Sequence, residues 1–296
     1  MVKTDITISD AECQAQQLSM EHIAEAQQAL RTEGYVILRQ AVQAKVLDAL
    51  EGRMLEDLDR LLALASRQTP PYNWVKGHVT VQPPPMHPYL FTEILANPFA
   101  CAVSTAVHRK FFNSTYMGLA IMPGTPAQPL HADHGQLWPD LKEAHPPVSL
   151  IVNTPITDVN EENGAIELWP GTHLDTSIWR GDAIEVSAAA TTARREICPP
   201  IRACTSQGDL LMRDMRLWHR GMPNDSDAPR IMLVNSHHIF WRDRSEKIKI
   251  PSSAQAFFDE LPIETVYEIQ PDDWDYLIQH EPYGYTPGRH YFMEKE

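Results

Sequence analysis

The chain has 296 residues, with 43% apolar and 22% charged side chains, the make-up of a soluble globular protein. A formal net charge of −14 argues against nucleic acid and anionic membrane surfaces as partners. No apolar run approaches the roughly 18 residues that a bilayer span needs. Met1 to Asp5 is not followed by an apolar leader core, so cytoplasmic residence is the expectation.

Residues 18–32 and 43–66 carry Leu, Ile, Met and Ala at spacings of three and four, which predicts two helices. Between them, Gly34 stops the first helix and Tyr35-Val36-Ile37-Leu38 reads as a short strand. Residues 67–90 are rich in proline, with Trp74 and His78 among them, and read as a loop of functional length. Residues 92–112 read as a further helix. Beyond about residue 114, short β-rich runs alternate with turns: Tyr116 to Met122, Val148 to Thr154, Ala165 to Trp169, Gly208 to Arg213 and Ile231 to Trp241. Many short strands without helical crossovers predict an antiparallel sandwich or barrel, with the early helices packed on one face. One domain is expected: a helical part over 1–113, a β core over 114–242 and an extension over 243–296. The extension holds Phe257, Phe258, Trp274, Tyr276, Tyr283, Tyr285, Tyr291 and Phe292. That aromatic density fits packing over a pocket or across a homodimer contact.

Cys13, Cys101, Cys198 and Cys204 include no Cys-x-x-Cys pair, so a structural zinc site or redox dithiol is not indicated. The informative pattern is instead His131-Ala132-Asp133, followed far along the chain by His219. Two imidazoles and one carboxylate are the donor set of a facial-triad non-haem Fe(II) site. On a strand, residues i and i+2 share a face, so His131 and Asp133 can grip one ion from one side. His134 would point away. The bare pattern recurs at His173-Leu174-Asp175, so the flanking sequence has to decide.

That flanking sequence is an ordered series of motifs. Gln128-Pro129-Leu130 runs into His131. Glu162-Asn163-Gly164-Ala165, Pro170-Gly171-Thr172-His173, Gly208-Asp209-Leu210-Leu211 and Trp218-His219-Arg220-Gly221 follow, and Pro229-Arg230 then opens the apolar run Ile231 to Val234. The series resembles the phytanoyl-CoA dioxygenase family of Fe(II)/2-oxoglutarate oxygenases. It is similar to the branch that holds fungal indole-alkaloid endoperoxidases and meroterpenoid oxygenases. The resemblance covers residues 30 to 242 and implies a cupin-like jelly roll, the double-stranded β-helix. It implies His131, Asp133 and His219 as iron ligands, with His173 and Asp175 in a structural turn.

An arginine at the head of an apolar strand needs a fixed anion, and its fork suits a carboxylate. The resemblance gives that role to Arg230, 11 residues beyond His219, as the anchor of 2-oxoglutarate. It offers Gln128, and more weakly Thr172, as further contacts to the cosubstrate. The chain departs from those relatives at Ile166, where they often carry threonine.

Trp138 and Trp74 are candidates for a substrate pocket, and Trp218, Tyr116 and Phe240 could also line one. His237 and His238 read as structural, because adjacent strand residues cannot both face the metal. The implied activity is oxidation of an unactivated C–H bond of a small organic molecule of secondary metabolism. It uses Fe(II), O2 and 2-oxoglutarate and releases succinate and CO2. An aspartate among the ligands favours hydroxylation, desaturation or rearrangement over halogenation. Two rivals remain: a cupin-like metal enzyme that does not use 2-oxoglutarate, and a non-catalytic binding protein on the same fold.

Overall fold

The computed structural model describes residues 2–65, 72–178 and 185–278. Its helices are α1 (Asp10–Ala15), α2 (Met20–Thr32), α3 (Ala44–Ala65), α4 (Thr92–Leu95), α5 (Pro98–His108), α6 (Ala188–Ile197) and α7 (Gln255–Asp259). The early strands are β1 (Asp5–Thr7), β2 (Tyr35–Arg39), β3 (His78–Val81), β4 (Phe111–Ile121), β5 (Ser149–Pro155) and β6 (Ile166–Leu168). The later strands are β7 (Ile201–Ala203), β8 (Leu210–Asp214), β9 (His219–Arg220), β10 (Arg230–Ile239), β11 (Ile248–Pro251), β12 (Glu264–Thr265) and β13 (Tyr267–Gln270).

The predicted elements form where their local chemistry places them. Ser19 caps α2 by accepting from the His22 N–H at 3.2 Å. The helix stops at Gly34, whose φ of +82° only glycine adopts without strain. A Cβ at Gly34 would stand 2.6 Å from Nδ1 of His173, so the Pro170–Asp175 turn packs directly on the helix end. The predicted helix over 92–112 is instead split into α4 and α5. Pro98 biases Asn97 to extended backbone. Asn97 then restarts the chain as an N-cap, accepting from the N–H groups of Phe99 and Ala100 at 3.0 and 3.1 Å. The predicted loop over 67–90 contains β3, which pairs with β4. Helix α6 was not legible in the sequence: it is ten residues long, none of its side chains is buried, and Ile197 is its one large apolar residue.

The major sheet runs β1-β2-β8-β5-β10-β4-β12, with β3 also on β4. A minor sheet, β7-β6-β9, faces it. His131 pairs with His219 and thereby adds one more row to the β9 edge. Two facing sheets with helices on one side make the expected double-stranded β-helix. Strand alternation sorts the side chains. Val36, Leu38, Leu210, Met212, Ile231 and Leu233 point outward to the helices and share one core with Leu47, Leu50 and Met54 of α3. Tyr35, Ile37, Leu211 and Met232 point inward and pack against Ile166 and Leu168 of the minor sheet.

The described part of the aromatic extension does not cover the space between the sheets. Phe258 and Tyr276 are buried in the helix-side core, and Phe257 and Trp274 pack against it. The Tyr276 hydroxyl donates to Asp57 and accepts from Arg53 on α3. Tyr283, Tyr285, Tyr291 and Phe292 lie outside the described residues. The four cysteines are free thiols, none paired with another. No helix among the described residues is long and apolar enough to cross a membrane.

A buried ion pair holds the loop after the metal motif to the sheet. Arg216 grips both carboxylate oxygens of Asp214, at 2.9 and 2.6 Å, and also donates to Gln136 Oε1 and to the His145 carbonyl. Removing one partner leaves a buried charge unmatched. Arg216→Ala is therefore expected to cost about 3–5 kcal/mol of unfolding free energy in urea titrations. A loss of under about 1 kcal/mol, the range of exposed ion pairs, would show that the pair is unimportant.

Candidate metal centre and its cavity

His131 and His219 meet as a cross-strand pair. The His131 N–H donates to the His219 carbonyl at 3.1 Å, and the His219 N–H returns the bond at 2.8 Å. Residues paired this way project their side chains from the same face, and the two rings lie 4.4 Å apart. Each ring is locked by a carbonyl two residues back. Nδ1 of His131 donates to Pro129 O at 2.8 Å, and Nδ1 of His219 donates to Leu217 O at 2.9 Å. The proton is therefore on Nδ1 in both, and both Nε2 lone pairs face the same centre.

Asp133 completes the group, but not from a regular strand. Beyond the His131 bridge the chain bends, and the N–H groups of Asp133 and His134 both donate to Met215 O. Asp133 Oδ1 then stands 3.8 Å from His131 Nε2 and 3.5 Å from His219 Nε2. The donor atoms of His131, Asp133 and His219 all lie within 4.8 Å of one another. His134 turns away and meets Gly135 O.

The electrostatics suit a cation. Burial, with Arg213, pushes His219 down to about 4. Burial and the neighbouring His219 likewise hold His131 well below the usual imidazole range. Both rings are thus neutral ligands. Burial alone would raise Asp133, but Arg213 and the two histidines outweigh it and hold the carboxyl below the ordinary range. Arg213, unforeseen from sequence, donates from Nη1 to Asp133 Oδ2 at 2.7 Å. One carboxylate oxygen is thereby occupied and the other left to face the imidazoles.

These groups open on a cavity of about 270 Å³ between the two sheets. Arg230 lies at one end and is buried. Its Nη2 donates to Gly164 O at 2.7 Å, while Nε has no partner. Burial, with Arg202 nearby, pushes its pKa down to about 10, and no acid among the described residues offsets this. A guanidinium so placed calls for an anion. Gln128 also lines the cavity, its Oε1 accepting from the Gly221 N–H at 2.9 Å, so its amide NH2 is left to donate. Gly221 has no room for a side chain: a Cβ would fall 2.2 Å from His78 Cε1. His78 also lines this end. Its Nε2 is buried without a partner, and burial, with Arg230, pushes it down to about 3. Ile166 forms part of the same wall.

The structure brings some sequence candidates together and leaves others apart. Trp74 lines the cavity, its ring roughly edge-on to His131 with the two ring centroids 3.9 Å apart. Trp138 does not; it is half exposed over a separate groove with Leu137 and Trp241. Thr172 is also away from the cavity. Its hydroxyl donates to Trp169 O and accepts from the Trp218 N–H, which braces the approach to His219. Trp218 packs with Leu130 and Trp169, Tyr116 points into the helix-side core, and Phe240 is on the surface. His173 sits under Gly34 with Nε2 at the Arg31 carbonyl, and Asp175 caps the Ser177 N–H, so that pair is structural. His237 is structural too, hydrogen-bonded to Ser104 of α5. His238, grouped with it from sequence, lines the cavity instead.

Residues 30–232 match the model of the phytanoyl-CoA dioxygenase family. Among curated relatives, a protein named dioxygenase trt7, from Aspergillus terreus, is 26% identical over 165 residues, 51% of this chain and 54% of that one. The iron/alpha-ketoglutarate-dependent dioxygenase okaE, from Penicillium ochrochloron, is 28% identical over 159 residues, 52% of this chain and 47% of that one. The chain matches about half the length of each of these relatives. Among solved structures, the non-haem alpha-ketoglutarate-dependent carbocyclase SnoK from nogalamycin biosynthesis superposes with a TM-score of 0.56 at 18% identity, covering 76% of this chain and 85% of that one. AviO1 from Streptomyces viridochromogenes superposes at 0.50 with 17% identity, covering 76% and 99%. These two share the fold. The family match spans well over half of the sequence and includes all three metal donors and Arg230, so the chain belongs to the phytanoyl-CoA dioxygenase family.

Proposed function

We propose that the protein is an Fe(II)- and 2-oxoglutarate-dependent dioxygenase that oxidises an unactivated C–H bond of a small organic molecule in secondary metabolism. The observation that carries this reading is Arg230: a buried guanidinium with no acidic partner among the described residues, at the end of the cavity that the metal donors also line. A purely structural arginine would be paired, and a metal enzyme without a dicarboxylate cosubstrate would not need it. The names of the fungal relatives agree with the reading.

When bound, Fe(II), 2-oxoglutarate and dioxygen supply the oxidation, and the cosubstrate leaves as succinate and CO2. The protein positions and shields. His131, His219 and Asp133 would hold the ion, and all three donors line the cavity. Arg230 fixes the remote carboxylate of the cosubstrate, while Gln128 and His78, which meet at Gly221, offer further hydrogen bonds from the same lining. Ile166, in the same lining, supplies no hydrogen bond of the kind the relatives' threonine would. Trp74 packs on His131 and limits solvent at the ion.

Two results test this. Alanine at His131, Asp133 or His219 should abolish tight Mn(II) or Fe(II) binding in calorimetry, with circular dichroism unchanged. Full metal affinity in His219→Ala would reject the ligand set. Arg230→Ala should raise the dissociation constant of 2-oxoglutarate by roughly 30-fold or more, because truncating one side of a buried charge pair costs on the order of 2–5 kcal/mol. Arg230→Lys should recover only part of that loss, since a point charge cannot make the two-pronged contact. An unchanged constant would favour the cupin-like alternative that does without 2-oxoglutarate.

A further inference from the structure

The inward row of β10 runs the length of the cavity: Arg230, Met232, Val234, Ser236 and His238 all line it. Arg230 and Ser236 are roughly 20 Å apart along the strand at about 3.3 Å per residue. A five-carbon diacid anchored at Arg230 cannot use both ends. The register places Ser236 beside Ile151, and Ile151 beside Arg213, which touches the metal ligand Asp133. His238 lies one step further, away from Arg230. The far end is therefore a second polar region, separated from the first by Met117, Met232 and Val234.

Its polar groups are donors. His238 Nδ1 lies 2.8 Å from Ser149 Oγ and 2.7 Å from Arg242 Nη1. A guanidinium can only donate, so Nδ1 is an acceptor and the ring proton is on Nε2. Burial, with Arg242, pushes His238 down to about 2, so the ring is neutral. Nε2 makes no hydrogen bond among the described residues. Ser236 Oγ and Thr115 Oγ1 are 2.9 Å apart; one hydroxyl donates to the other, and the second keeps its proton for the cavity. Arg213 spends Nη1 on Asp133 and keeps further N–H groups. Charge points the same way. An Fe(II) ion, Arg213 and Arg230, set against Asp133 and the two carboxylates of the cosubstrate, leave one positive charge unmatched. Glu246 at the mouth is exposed, so solvent screens it.

We infer that this far end is the anchoring subsite for the primary substrate, and that it takes a hydrogen-bond-accepting oxygen, carboxylate or carbonyl, of an otherwise apolar molecule. His238 Nε2–H and Arg213 hold that oxygen, with the Thr115–Ser236 pair beside them in the lining. The inference rests on the proposed function, since it assumes the cosubstrate at Arg230. It makes His238 and Arg213 specificity-determining residues.

The test uses the full chain loaded with Mn(II) and 2-oxoglutarate, and three probes of one shape: 2-naphthoate, 2-naphthamide and naphthalene. Proton NMR gives their dissociation constants, and line broadening by Mn(II) reports whether a bound probe sits beside the ion. The expected result is that both oxygenated probes are broadened and bind roughly tenfold or more tightly than naphthalene, as one or two hydrogen bonds from polar or charged donors would give. A further gain for naphthoate over naphthamide identifies a carboxylate as the preferred oxygen; equal binding identifies a carbonyl. His238→Phe should remove most of the advantage while leaving the 2-oxoglutarate constant within about twofold, and His238→Gln, which keeps an N–H, should restore part of it. Arg213→Met should selectively weaken naphthoate. Equal binding of all three probes, or an advantage that survives in both His238→Phe and Arg213→Met, would overturn the inference while the proposed function stands. Failure of 2-oxoglutarate to bind the Mn(II)-loaded wild type would overturn both.

Discussion

The site depends on one backbone pairing, the reciprocal hydrogen bonds between His131 and His219. That pairing joins the segment after β4 to the edge of the minor sheet and aligns two imidazoles side by side. Everything else at the centre is built around it. The Pro129 and Leu217 carbonyls set the tautomers, Met215 O turns the chain so that Asp133 swings in, and Arg213 takes the carboxylate oxygen that faces away from the rings. The pairing needs a fixed partner strand, and the fold provides one. Thr172 bonds the Trp218 N–H and Trp169 bonds its carbonyl, immediately before His219. A triad assembled from backbone pairing rather than from mobile side chains is held in place before any ion arrives.

Much of this was legible in the sequence, for identifiable reasons. The long amphipathic helices α2 and α3 and the strands β5, β8 and β10 carry strong periodic patterns, and the metal motif came with its flanking series. Strand alternation alone could have gone further. Once Arg230 is assigned to the inside of β10, His238 must be inside too, eight residues along the same face, and His237 must be outside. Arg213 carried the same signal as Arg230, a charge at the end of an apolar run, but nothing local names its partner. What could not be read is the long-range geometry. The turn at Asp133 depends on a carbonyl from Met215, and the unpartnered ring of His78 depends on Gly221 having no side chain. Trp138 and Thr172 failed as cavity residues because nearness in sequence to a motif does not fix the direction of a side chain.

The cavity divides its chemistry by position. At the Arg230 end a buried positive charge waits for an anion, flanked by Gln128 and a neutral His78. In the middle, methionine and aliphatic side chains of β4 and β10 make an apolar stretch of wall. At the far end stand the hydroxyls of Thr115 and Ser236 and the neutral ring of His238. One strand, β10, spans all three zones, so cosubstrate and substrate can be told apart by their place along a single rigid element, a precise way to build a site.

The central claim is that the three donors and Arg230 serve one ion and one bound dicarboxylate. It is tested most directly by visible absorption under argon. Adding 2-oxoglutarate to the Fe(II)-loaded protein should produce a new charge-transfer band that saturates at one equivalent per chain, because the cosubstrate would chelate the iron through its 2-oxo acid group. Protein that binds Fe(II) but shows no band with excess 2-oxoglutarate would contradict the account.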